Sequence, residues 1–243
     1  MKVVAIIQAR MGSTRLPGKI LKKVLGKPLL EFQLERVSKS NYIDEILVAT
    51  TDQYQDNAIV SLCQMMKITY YRGPEADVLK RYYKAASHIK ADIVVRLTSD
   101  CPLIDPVQID KVIQSYFLHQ HPLQYVSNTL KRTLPRGMDT EVFSFQALKE
   151  AYKKAESKAD REHVTRYMIN NPQDFNLINV SNSKNYSHHR WTVDTHEDFT
   201  LIKKIIETLY PHKPEFTMED TLEILDKFPE WQLINTHIQQ KED

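Results

Sequence analysis

Residues 8–19 read QARMGSTRLPGK and directly follow the apolar run VVAII at positions 3–7. Arg10, Arg15 and Lys19 share this loop with Ser13, Thr14, Gly12 and Gly18, the last two being among only five glycines in the chain. Cations packed this closely repel one another unless an anion sits among them, and glycine lets backbone N–H groups approach such an anion. A polyphosphate suits the pattern, because each charged hydrogen bond contributes about 1.5–3 kcal/mol and several together would hold it. The loop is neither of two familiar phosphate cradles. Five residues separate Gly12 from Gly18 where the Walker pattern has four, Ile20 follows Lys19 where it has Ser or Thr, and no G-x-G-x-x-G occurs. The competing reading is a turn shaped by glycines with its cations facing solvent.

A bound polyphosphate needs its charge screened, and magnesium is usually held by one or two carboxylates with waters and phosphate oxygens around it. Asp100 closes VVRLTSD, just beyond a strand-like run, and Asp194 closes RWTVD ahead of a helix-like stretch. A turn residue before Cys101-Pro102 is the plain alternative for Asp100. For Asp194 the plain alternative is helix capping, but Thr195 with Asp198 three residues on already satisfies a capping box and leaves Asp194 without that duty. In PRGMDTEVF, Asp139 and Glu141 lie two apart on an expected strand, hence on one face, where they could accept from sugar hydroxyls or an amino group. Arg136 precedes them in a Pro-Gly turn and could fork onto a carboxylate or phosphate; a solvated edge strand explains the same residues as well. His163, Arg166 and Tyr167 share a face of an expected helix, and His189 and Arg190 run just ahead of Asp194.

Elements that would position these groups follow from the apolar pattern. Val3–Ile7, Ile46–Ala49, Ile68–Tyr71 and Ile93–Leu97 are short, branched and nearly continuous, as strands buried on both faces are. Helical periodicity fills Pro28–Ser38, Asp56–Met66 and Ala76–Ile89, giving βαβαβαβ and an open, mostly parallel sheet. Ligands of such sheets sit beyond the carboxyl ends of the strands, where the basic loop lies. The second half is mixed: helices over Val107–Leu118, Gln146–Ala155, Arg161–Met168, Glu197–Leu209 and Met218–Lys227, with strands over Gln124–Ser127, Thr140–Phe145, Phe175–Val180 and Arg190–Val193, and a tail after Thr236 expected to fray.

With 243 residues and 42% hydrophobic content the chain can bury a sizeable core, and without a Gly-, Pro- or Ser-rich linker it reads as one domain, 1–243. Lysine and arginine number 33 against 31 acids, so no general basic excess points to nucleic acid and any anion site is local. Cys63 and Cys101 lack metal spacing and read as reduced thiols. No run approaches the ~18 apolar residues of a membrane span, and no signal-like amino terminus is present, so a cytoplasmic location without membrane insertion is expected.

The stretch ARMGSTRLPGK at 9–19, with GKPLL at 26–30, resembles the amino-terminal signature of the CMP-Kdo and CMP-acylneuraminate synthetases. RGPEADVLKRYYKAA, VVRLTSDCPLIDP, PRGMDTEVFS, DREHVTRYM and RWTVDTHEDF narrow the likeness to the spore coat polysaccharide biosynthesis protein F branch of that cytidylyltransferase-like superfamily. The resemblance runs from about Val3 to Ile206 and implies an α/β, GT-A-like open mixed sheet flanked by helices. It also implies a CTP-dependent cytidylyltransferase that joins CMP to a sugar acid, with Mg2+ on Asp100 and Asp194, Arg15 and Lys19 assisting catalysis, and a homodimer. Gln8, Ala9, Arg10, Gly12, Ser13, Thr98 and Ser99 would line the nucleotide, with Arg72 and Gly73 near its base. Arg136, Asp139, Glu141, His163 and Arg190 would meet the acceptor. A GT-A glycosyltransferase using a nucleotide sugar is the alternative; it commonly carries Asp-x-Asp, where this chain reads Thr98-Ser99-Asp100. A nucleotide-sensing domain is a further one.

Overall fold

The computed structural model describes residues 1–119 and 121–240. Its strands are β1 (Val3–Gln8), β2 (Lys23–Val24), β3 (Lys27–Pro28), β4 (Glu45–Thr51), β5 (Thr69–Gly73), β6 (Ile93–Thr98), β7 (Gln124–Ser127), β8 (Glu141–Ser144) and β9 (Asn176–Asn179). The α-helices are α1 (Leu29–Val37), α2 (Asn57–Met66), α3 (Val78–His88), α4 (Pro106–Leu118), α5 (Phe145–Lys154), α6 (Lys158–Glu162), α7 (Arg166–Asn170), α8 (His196–Leu209), α9 (Met218–Lys227) and α10 (Pro229–Gln232).

Seven strands form one mixed sheet in the order β5-β4-β1-β6-β8-β7-β9. The first four are mutually parallel, β8 runs antiparallel to both β6 and β7, and β9 is parallel to β7. Period-two alternation assigns β1 to both layers of the core. Val3, Ala5 and Ile7 join the apolar cluster with Leu30, Leu34, Ile59 and Val112 from α1, α2 and α4. Val4 and Ile6 join the opposite cluster with Leu79, Tyr82, Leu148 and Ala151 from α3 and α5. A third cluster packs Leu29, Phe32, Trp191, Val193, Ile202 and Ile206 under α8 and α9. Cys63 and Cys101 are free and buried. Among the described residues no helix is long and apolar enough to cross a membrane.

Two expected elements differ. Arg190–Val193 is not a strand: it makes one isolated bridge with Arg136, because its backbone bonds are divided between two partners, Trp191 N–H to the carbonyl of Arg136 and Val193 N–H to that of Asp100. The helix expected over Arg161–Met168 is broken into α6 and α7, with His163 extended at φ −105° and ψ 95°. Val164 and Thr165 are consecutive and both buried. The extended step turns both inward, and it removes the shared face expected for His163, Arg166 and Tyr167.

Candidate active site

The basic loop leaves β1 at the carboxyl edge of the sheet and is tied down by its backbone. Ala9 N–H donates to the carbonyl of Ala49, and Met11 N–H to Oδ1 of the fully buried Asp56 at 2.7 Å. Ser13 and Gly18 N–H both return to the Met11 carbonyl, so residues 11–18 close into a compact turn. Gly18 sits at φ +66°, a left-handed position that favours glycine, and it starts a short 3-10 turn over Lys19–Leu21. Ile20 is buried and anchors that turn, so Lys19 is directed inward.

Lys19 Nζ lies 2.8 Å from Oδ2 of Asp100 and 2.8 Å from Oδ1 of Asp194. The acids reach it by separate routes. Ser99 N–H donates to the Gln8 carbonyl, setting Asp100 beside β1, and the Val193–Asp100 backbone bond brings the second segment alongside. The capping box of Thr195 and Asp198 forms as the spacing predicts. Asp194 is therefore spared for cations: besides Lys19 at Oδ1, its Oδ2 is ion-paired with Arg15 at 3.0 Å and accepts from Arg190 at 2.7 Å. Arg190 is itself buried, forked onto Asp198 at 2.9 and 3.1 Å, with Nη1 donating to Gln240 Oε1 at 2.7 Å.

Burial alone would push Asp100 toward its neutral form, but the Lys19 ammonium outweighs it and holds the carboxyl below its ordinary range. Burial likewise pulls Lys19 down, and Asp100 and Asp194 together carry it above its usual value. Lys19 and Asp100 are thus both charged at neutral pH. Two carboxylates converging on one cation 2.8 Å from each have the donor chemistry of a hard divalent cation site. Among the described residues no group of three or more His, Cys, Asp and Glu could hold a metal. A cation at Asp100 and Asp194 would therefore complete its shell with water and ligand oxygens, as magnesium does.

The cytidylyltransferase family model matches residues 4–240. The chain belongs to the cytidylyltransferase family. It is 30% identical to the spore coat polysaccharide biosynthesis protein SpsF of Bacillus subtilis, over 94% of this chain and 95% of that protein. It is also 38% identical to the 3-deoxy-manno-octulosonate cytidylyltransferase of Geobacter metallireducens, over 46% of this chain and 44% of that one. A cytidylyltransferase structure from Leptospira borgpetersenii superposes with a TM-score of 0.91 at 33% identity, covering all of both chains.

Around the ion cluster the other expected residues of this cytidylyltransferase fall into distinct settings. Gln8 accepts from Arg96 at 3.3 Å, Ala9 and Ser99 are buried, and Thr98 gives its carbonyl to Gln33. Arg10 is open, with a long 3.5 Å pairing to Glu75, and the space in front of Gly12 faces Gln55 and Glu75. Arg72, on edge strand β5, is spent on the carbonyls of Thr51 and Gln53 and on Asn57, while Gly73 packs against Arg81. Arg136 has a side chain with no hydrogen bond or ion pair among the described residues. Burial, then Arg132, lowers its pKa. It borders a cavity of about 130 Å³ with His189, Arg190 and Trp191.

Asp139 and Glu141 do not share an open face. Asp139 precedes β8, half-exposed, and is held by both arms of Arg132 at 2.5 and 2.8 Å. Glu141 is buried, paired with Arg96 across β6 and β8, and accepts from Tyr125 at 2.6 Å and Thr165 at 2.7 Å. His163 is half-buried at the break between α6 and α7. Sequence reasoning missed Arg96, Arg132 and Asp56. The one available signal was Arg96 itself, a lone charge inside the buried run IVVRLT, which needs a partner.

Proposed function

We propose that the protein transfers CMP from CTP to a sugar acid, releasing pyrophosphate, for surface polysaccharide or glycan biosynthesis. The observation that carries this is the meeting of Asp100, Asp194 and Lys19 at 2.8 Å across the carboxyl edge of the sheet, with Arg15 beside them. Family membership supports CTP as donor, and the partial match to an octulosonate cytidylyltransferase supports an eight-carbon or related sugar acid as acceptor.

Residues 8–19 would cradle the triphosphate, with backbone N–H groups of the turn and the Arg15 and Lys19 side chains against the phosphates. Asp100 and Asp194 would hold Mg2+, which when bound screens charge at the α-phosphate and polarises it. An acceptor hydroxyl oxygen attacks the α-phosphorus in line; the bond to the bridging oxygen of the β-phosphate breaks, that oxygen leaves with pyrophosphate, and the hydroxyl proton passes to solvent or a nearby base. Arg15 and Lys19 face the charge that builds on the leaving group, so the rate comes from positioning and charge stabilisation. Arg136, whose guanidinium has no partner among the described residues, is the best-placed partner for an acceptor carboxylate, and Arg190 keeps Asp194 oriented.

The test is pyrophosphate release with each of four nucleoside triphosphates against a panel of sugar acids. Release confined to CTP plus a sugar acid supports the proposal. Transfer from a finished nucleotide sugar without pyrophosphate would select a glycosyltransferase instead. Sedimentation equilibrium checks the homodimer that the resemblance implies.

A further inference from the structure

Lys19 is asked for two incompatible things. The proposed reaction needs its ammonium at the phosphates, yet here it sits between the two acids that would hold the divalent cation. A magnesium ion lies about 2.1 Å from its oxygen ligands. An ammonium 2.8 Å from both acids occupies the same gap, and the two cannot coexist there.

Charge accounting points the same way. Asp100, Asp194 and Asp198 carry three negative charges, and Lys19, Arg15 and Arg190 supply three positive ones. The free site is already neutral, so a dication arriving alone meets no net attraction. Its two kinds of base differ in freedom. Arg190 is buried and forked onto Asp198, and its backbone is bonded to Asn235. Lys19 and Arg15 belong to the loop, on long flexible stems, and Arg15 is about one-third exposed. A triphosphate tail brings several negative charges to that loop, enough to draw both side chains off the acids.

Resting on the proposed function, we infer that Lys19, assisted by Arg15, is an internal counter-cation that keeps the divalent metal off Asp100 and Asp194 until a nucleoside triphosphate pulls it away. Metal and nucleotide then load cooperatively, each raising the affinity for the other by the same factor.

The test needs neither substrate. Mn2+ is titrated by electron paramagnetic resonance into the nucleotide-free, full-length protein. Wild type should bind Mn2+ weakly, Lys19→Met should bind it about tenfold tighter or more because one opposing charge has left the gap, and adding Asp194→Asn to Lys19→Met should remove the gain. Near-UV circular dichroism checks folding. If Lys19→Met does not fold, Arg15→Met replaces it, with a smaller gain of about threefold. Equal affinities in wild type and variant, weaker binding in the variant, or no Mn2+ site in either, overturn the inference. Because pyrophosphate release is absent from this assay, its failure leaves the nucleotidyltransfer reading intact, and failure of that reading leaves the titration meaningful.

Discussion

Two clusters of acid and base meet at the end of β6, and they are built on opposite plans. Lys19, Asp100 and Asp194 join a loop cation to acids from two segments beyond the strands, with side chains 11–22% exposed. Arg96 and Glu141 stand directly opposite in the β6–β8 register, and Tyr125 from β7 and Thr165 between α6 and α7 complete the carboxylate's shell. In the second cluster Arg96 and Tyr125 ride on paired strands and Thr165 on a buried turn, so exchange of partners is costly. In the first, the cations come from a turn and can swing away. A buried carboxylate held by rigid donors maintains the sheet; one held by mobile cations is free to trade them for a metal or a phosphate.

The largest effect expected from this contrast is on activity. Asp100→Ala or Asp194→Ala should lower kcat by about 10²–10⁴, corresponding to the several kcal/mol that a bound metal contributes to the transition state. The melting temperature should move little, because Lys19 keeps its other acid partner in either variant. Steady-state pyrophosphate release and calorimetry report the two quantities, and undiminished turnover in either variant would break the comparison at its first term. Glu141→Gln should do the reverse. Leaving the partly buried Arg96 without its charge partner should cost about 3 kcal/mol in urea unfolding, with turnover per folded molecule only modestly lowered. A stable but inactive Glu141→Gln protein would move Glu141 into the acceptor site.

How far each cluster could be read from sequence follows from the range of its contacts. The parallel strands were legible because buried branched runs such as VVAII admit few other structures. The freedom of Asp194 was legible too, since the Thr195–Asp198 capping box is a local pattern and forms as expected. Glu141 was misread as open because its partner lies 45 residues away, and only the β6–β8 register decides which face it takes. The helix over Arg161–Met168 failed for a related reason: burial of both Val164 and Thr165, the latter on Glu141, overrides a locally favourable periodicity. Arg190–Val193 has strand composition, but its backbone serves two different segments.

Gly137 packs against the segment that leads to Asp194, and it sharpens the comparison. Its φ of +106° is left-handed, and a β-carbon there would come 2.7 Å from the backbone carbon and oxygen of Trp191. Trp191 leads directly to Asp194, so Gly137→Ala should destabilise the fold by about 1–3 kcal/mol through backbone strain and also displace the 190–194 segment. Both melting temperature and turnover should fall together in this variant. A drop in stability with full activity would show that the acids tolerate movement of their support.

The smallest expected effect concerns His189, whose ring lies tilted 4.1 Å from that of His188 and 5.4 Å from that of Trp191. Burial, and then the neighbouring His188, lower its pKa from 6.5 to about 4, while Asp226 opposes them weakly. Between those two pH values the unfolded chain binds a proton that the folded one refuses, so stability falls as pH drops from about 6.5 and the loss is complete below about 4. His189 is only partly buried, and with solvent screening the contribution should be no more than about 1 kcal/mol. Carboxylates also titrate in this range, so the informative quantity is the difference between wild type and His189→Gln in urea midpoint across that window. The variant should lose less stability on acidification than wild type. Parallel curves would mean that the histidine takes up its proton in the folded state without cost, and that the segment carrying Arg190 and Asp194 is more open to water than its packing implies.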